Sequence, residues 1–224
     1  MEFTVPLILT TRHLDITRFD HGDLDDRLAY QSREDVARYL YREPLSRDAC
    51  AVGIERAIAT TALEADGDTL VFAVRVHGER RVIGEVVLTL SDHRASQLEI
   101  GWVFNPEDAG KGDATEAARA IAELAFSEYG AHRLFARLDA ENERSVLLCR
   151  RLGFRQEAHL IENDRRLSGA WGREFVYAAL EGTSSATTPS GDNLRRLSHR
   201  YRPSPAHAVA DWGSRPQPEG VGCD

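Results

Sequence analysis

A mixed α/β layer fold is what this sequence predicts, and three observations carry it. Apolar residues alternate over residues 70–76 and return as a β-branched run over 82–90. They recur at helical spacing over residues 114–129. The two periods interleave along the chain and do not form an internal repeat. At 224 residues, 42% hydrophobic and 29% charged, the chain can bury one sizeable core and carry an appendage.

The elements follow in order. Residues 7–18 alternate loosely and predict a first strand. Helical stretches are expected over 23–41, with a break, and over 47–64, the second capped by Ser46. Leu70, Phe72, Val74 and Val76 then alternate, a polar His-Gly-Glu-Arg turn follows, and 82–90 is β-branched, which together predict an antiparallel hairpin. Residues 98–104 predict another strand, closed by Asn105-Pro106 because proline cannot donate to a ladder. The clearest helix runs over 114–129: Ala114, Ala117, Ala118, Ile121, Ala122, Ala125 and Tyr129 form one apolar face, and Gly130 stops it. A strand at 133–139, a helix at 143–152 ended by Gly153, and strands near 154–161 and 174–180 complete a domain over residues 1–181. From Gly182 onward small and polar residues dominate, and five of the eight prolines lie beyond Thr188. That composition predicts a disordered tail over 182–224, with at most a short basic helix around 194–202.

Composition excludes several functions. A net charge of −8 disfavours nucleic-acid binding. No apolar run approaches the ~18 residues that a membrane helix needs. The short apolar stretch at 5–9 has no basic segment before it, so a secretory signal is not expected. Cys50, Cys149 and Cys223 are odd in number and far apart, which suits a reducing cytoplasm and neither a disulfide framework nor a zinc site. The eight histidines show no metal-ligand spacing, and no metal is expected.

The segment 98–126 carries the chemistry. A strand ends, Gly110-Lys111-Gly112 makes a tight turn, and a long helix starts at once. Glycines let a backbone approach a ligand, and a helix start presents unsatisfied N–H groups and a positive dipole end. Lys111, the single lysine of the chain, stands inside that turn. The arrangement suits a phosphate. A P-loop is excluded because its glycine spacing is absent, and a dinucleotide fingerprint is disfavoured because Thr115 stands where its third small residue belongs.

With Leu-Thr-Thr-Arg-His-Leu-Asp-Ile-Thr-Arg from Leu9, Glu-Ile-Gly-Trp-Val-Phe-Asn-Pro from Glu99, Gly-Lys-Gly-Asp-Ala-Thr-Glu-Ala-Ala-Arg from Gly110 and Asn-Glu-Arg-Ser-Val-Leu-Leu-Cys-Arg-Arg-Leu-Gly-Phe from Asn142, the chain resembles the GNAT superfamily of acyl-CoA N-acyltransferases, specifically its RimJ/RimL-like branch. The resemblance implies a mixed, mostly antiparallel central sheet flanked by helices. It implies that Gly110, Lys111, Gly112, Asp113, Ala114 and Thr115 wrap the pyrophosphate of coenzyme A. The backbone of Trp102, Val103 and Phe104, with Asn142, would hold the pantetheine arm. The family pattern departs at two places: Ala109 replaces a usual Gln or Arg, and Asp113 stands where an aromatic or neutral residue is common. Asp113 also reads as a helix N-cap, and so does Asn142.

Amine acylation by a thioester needs a neutral amine, a stabilised oxyanion and a proton for the departing thiolate. Glu99 is the candidate base and Ser145 the candidate proton donor, with Cys149 a weaker candidate for the same task. The implied activity is transfer of an acetyl or other short acyl group from acyl-CoA to a primary amine of a protein N-terminus or a small molecule, by direct attack in the cytoplasm. Neither a nucleic acid nor a membrane is an expected partner, and a homodimer is left open. An alternative of another class is a catalytically silent domain that binds or senses acyl-CoA, motivated by Ala109, Asp113 and the absent tyrosine at position 149.

Overall fold

The computed structural model describes residues 7–182. The expected tail, with its helix around 194–202, lies outside them. One eight-stranded sheet organises the fold: β1 (Leu7–Thr10), β2 (Leu14–Arg18), β3 (Thr69–Val76), β4 (Val82–Asp92), β5 (Gln97–Phe104), β6 (Arg133–Asp139), β7 (Arg155–Arg165) and β8 (Trp171–Leu180). Their order is β1-β2-β3-β4-β5-β6-β8-β7. Every neighbouring pair is antiparallel except β5 with β6. That exception follows from the connection, since a helix joins these two strands and a crossover makes neighbours parallel. The helices are α1 (Leu24–Gln31), α2 (Glu34–Ala37), α3 (Arg47–Ala59), α4 (Asp113–Ser127) and α5 (Glu143–Arg151).

Several boundaries differ from the sequence expectation. Residues 7–18 are two strands, because Thr11 N–H donates to the Leu14 carbonyl at 2.8 Å and turns the chain back. The stretch 23–41 breaks into α1, α2 and a 3₁₀ turn over Arg38–Leu40. Helix α3 starts under the Ser46 side chain as expected but ends at Ala59, where Thr60 is already extended. Helix α4 begins one residue early. Gly112, at φ 94°, is its cap, so Asp113 is the first helical residue and not the N-cap.

Two layers cover the sheet. Ala117, Ala118, Ile121, Ala122 and Ala125 of α4 pack with Val146, Leu148 and Cys149 of α5 against Leu88, Leu98, Ile100 and Leu134. On the opposite face α1 and α3 bring Tyr30, Ile54 and Ala57 onto Ala73, Val82 and Val103. That second face also holds a buried ion pair. Arg27 Nε donates to Glu85 at 2.9 Å, and Tyr30 and Gln31 donate to the same carboxylate at 2.8 Å. Burial works against the Arg27 charge, but Glu85 outweighs it and holds the guanidinium above its ordinary range. Among the described residues no helix is long and apolar enough to cross a membrane.

Candidate functional site

The site begins where two strands part. β5 and β6 register only at Gln97–Arg133, Leu98–Leu134 and Glu99–Phe135, although both strands run on. β5 stays paired with β4 up to Phe104. Asn105 N–H donates to Ile83, so the antiparallel alternation gives the amide and carbonyl of Val103 to β4. Those of Trp102 and Phe104 turn into the gap. Of the three residues expected to lend their backbone there, Val103 therefore faces β4, and its side chain is buried in the α1–α3 layer.

Beyond β5, Asn105 caps a 3₁₀ turn over Pro106–Asp108, and the chain reaches the glycine turn. Gly110 and Gly112 have φ 92° and 94°, a region that favours glycine, and a Cβ at either would meet nothing within 4 Å. The first helical donors are Thr115 and Glu116, both on the Gly112 carbonyl. The amides of Gly112 to Ala114 thus stand at the open N-terminal end of α4. Lys111 is exposed, with its Nζ 3.9 Å from Asp108. Asp108 is gripped by Arg81 at 2.7 and 2.8 Å, which fixes the approach to the turn. Glu116 fixes the other side: it accepts from Thr11 Oγ1 at 2.5 Å, from His13 N at 2.7 Å, and lies 2.9 Å from the His13 ring. Asp113 is the anomaly of the cradle. Its Oδ2 is buried with no hydrogen-bond partner, and burial pushes its carboxyl above the usual range.

Helix α5 supplies the third wall. Asn142 is its N-cap, accepting from Ser145 N–H at 3.2 Å. Ser145 Oγ in turn accepts from the Trp102 indole Nε1 at 3.1 Å. Cys149, one turn further on, is fully buried, and that burial pushes its thiol up to about 12. It holds its proton at neutral pH and acts as core packing.

An open cleft of about 2050 Å³ joins these parts. It is lined by Trp102, Val103, Phe104, the whole turn from Gly110 to Thr115, Asn142 and Ser145, and also by Val36, Tyr39 and Leu40 from α2 and the turn after it. The volume exceeds the roughly 300–1,000 Å³ of a compact small-molecule pocket and suits a long, jointed ligand. Glu99 is not among the lining residues. It shares its side of β5 with Val103, while Trp102 shares the α5 side, so the sheet separates Glu99 from Ser145.

A strand pair that opens after three registered residues, beside a glycine turn that starts a helix, decides between the phosphate-binding folds. The model for the acetyltransferase (GNAT) domain matches residues 13–155. The chain belongs to the GNAT family. It is 30% identical over 175 residues to the uncharacterized N-acetyltransferase YnaD of Bacillus subtilis (strain 168), covering 77% of this chain and 96% of that one. A GNAT acetyltransferase from Bacillus anthracis superposes with TM-score 0.67 at 27% identity, covering 77% of this chain and 97% of that one. The spermidine N-acetyltransferase of Vibrio cholerae, solved with CoA and spermine, shares the fold with TM-score 0.67 at 22% identity, over 78% of this chain and 99% of that one.

This GNAT protein is thus an N-acetyltransferase, and members of the family use acetyl-CoA as donor. Its residues fit that donor: open space beside two positive-φ glycines, a helix start with no side-chain cap and an exposed lysine. Sequence reasoning missed the Trp102 side chain, the Glu116 clamp, the Arg81–Asp108 grip and the Val36–Tyr39–Leu40 wall. Each joins segments far apart in the chain, and no local pattern signals such a pairing.

Proposed function

We propose that this GNAT enzyme, of the RimJ/RimL-like branch, transfers an acetyl or other short acyl group from acyl-CoA to a primary amine of a protein N-terminus or a small molecule. The observation that carries the reading is the opening of β5 from β6 directly after Glu99, with Ser145 on the far side of the gap. The amides of Gly110 to Thr115 and the Lys111 ammonium hold the pyrophosphate. The backbone of Trp102 and Phe104, together with Asn142, orients the pantetheine arm.

The two candidate catalytic groups then approach one carbonyl from opposite faces of the sheet. Glu99, directly or through water, removes a proton from the attacking amine on its side. A backbone N–H in the gap stabilises the oxyanion. Ser145 gives its proton to the sulfur as the C–S bond breaks. That separation supports the assignment, since the entering amine and the leaving thiolate occupy different sides of the reacting carbon.

The test is acetyl-CoA with an amine panel containing spermidine and peptides with free N-termini, read by release of the CoA thiol. Turnover on one amine class is expected. A protein that binds acetyl-CoA but acylates no amine in the panel refutes the reading.

A further inference from the structure

The mechanism above uses only the backbone of Trp102, yet its side chain makes the single side-chain hydrogen bond to the Ser145 hydroxyl among the described residues. An indole N–H is a donor only, so at 3.1 Å Ser145 Oγ must be the acceptor. A serine hydroxyl has one proton and two lone pairs. One lone pair is spent on Trp102, and the proton must point elsewhere. The hydroxyl makes no hydrogen bond to the neighbouring helix carbonyls: Asn142 O accepts from Val146 N at 3.0 Å, and Glu141 O from Glu143 N at 3.0 Å. No acceptor among the described residues takes the Ser145 proton. Both residues line the cleft, so that proton is left for whatever lies there.

We infer that Trp102 is a positioning residue that sets the Ser145 hydroxyl as proton donor to the leaving thiolate; this rests on the function proposed above. In the step concerned the amine nitrogen forms its bond to the acyl carbon, and the C–S bond breaks. The Ser145 proton passes to sulfur, the amine proton leaves through Glu99, and Ser145 is reprotonated from solvent. As the proton leaves, negative charge grows on Ser145 Oγ. The indole N–H then donates to an oxygen that is becoming an alkoxide, and such a bond strengthens in the transition state. Trp102 therefore both orients the donor and makes it more acidic. Helix α5 alone could not do this, because Asn142 holds the Ser145 amide and leaves the hydroxyl free to rotate.

The experiment is a double-mutant cycle of Trp102→Phe and Ser145→Ala, measured with acetyl-CoA and the best amine of the panel. Trp102→Phe should lower kcat by about 10- to 100-fold, the worth of one hydrogen bond to a charged group, with KM for acetyl-CoA changed little. In the Ser145→Ala background the same substitution should cost nothing further. Replacement of Trp102 by 3-benzothienylalanine, which keeps the shape and lacks the N–H, should reproduce the kcat loss even if Trp102→Phe folds poorly. Losses that multiply, or a rise in KM with kcat intact, overturn the role. A slow Ser145→Ala enzyme beside a fully active benzothienyl variant overturns this inference alone. A Ser145→Ala enzyme as fast as the parent overturns the assignment of the acid, and this role with it.

Discussion

Glu99 and Ser145 lie on opposite faces of one sheet, separated by the strand that carries Trp102. Two groups so placed cannot pass a proton directly to each other, and in the mechanism proposed above each has its own task at a carbonyl held in the gap between β5 and β6. Replacing either one should therefore act on kcat more than on donor binding. Glu99→Gln and Ser145→Ala are each expected to lower kcat by about 10²- to 10⁴-fold, the range of a positioned acid or base. Acetyl-CoA affinity, measured by calorimetry, should stay within a few-fold of the parent in both. A variant that loses affinity in proportion to rate would mean that its side chain binds and does not catalyse.

The glycine turn offers a test with an internal control. Gly112 and Gly67 share φ 94°, and a Cβ at either meets nothing within 4 Å, but only Gly112 borders the cleft. Valine at either position should cost about 1–3 kcal/mol of stability through backbone strain. Gly112→Val should also abolish acetyl-CoA binding, since its side chain fills the space a pyrophosphate would occupy. Gly67→Val should bind normally. Equal affinity in the two variants would place the ligand elsewhere.

Lys111 is exposed and holds only a 3.9 Å contact with Asp108, so its pull on a phosphate is that of a surface charge. Lys111→Ala should weaken acetyl-CoA binding by about 1 kcal/mol. The parent should lose that advantage as salt rises, and the two titration curves should converge.

Asp113 and Glu116, three residues apart at the start of α4, are displaced in opposite directions. Burial raises Asp113, with Lys111 opposing and Glu116 and Asp108 adding to the shift. Burial also acts to raise Glu116, but the donors Thr11 and His13 outweigh it and bring it below its ordinary range. A raised carboxyl takes up a proton on folding, so its contribution is complete below its unfolded pKa and is lost as pH rises through the folded value. Asp113→Asn should accordingly melt higher than the parent near pH 7 and bind acetyl-CoA more tightly there, with the melting difference gone near pH 3. Glu116→Gln should melt lower near pH 7, and that difference should shrink as pH falls through the lowered value. Thermal melts at the two pH values read both signs.

Glu85 answers the Arg27 charge with both of its oxygens in a fully buried site. Removing one partner strands the other charge away from water. Glu85→Ala should destabilise the fold by about 3–5 kcal/mol in denaturant titrations. Glu85→Gln, which keeps an acceptor for Tyr30, should lose less.

The sequence by itself determined the local architecture around the site. Strand β5, the glycine turn and α4 are contiguous, and alternation, helical spacing and two glycines suffice to read them because each signal acts over a few residues. Ser46 and Asn142 were legible as caps for the same reason. The tertiary structure alone decided how those pieces meet. The split of residues 7–18 into two strands depends on the turn at Thr11 that folds β1 back onto β2 while β2 pairs with the distant β3, and the start of α4 at Asp113 depends on the left-handed cap at Gly112. Trp102 reaches Ser145 across 43 positions, Arg27 reaches Glu85 across 58, and Thr11 reaches Glu116 across 105. Alternation along β5 places Glu99 and Trp102 on different sides, but which helix covers which side is set by the strand order and by the crossover through α4. Registers of that kind are chosen by the burial of whole faces, a sum over distant segments that no short window of sequence contains.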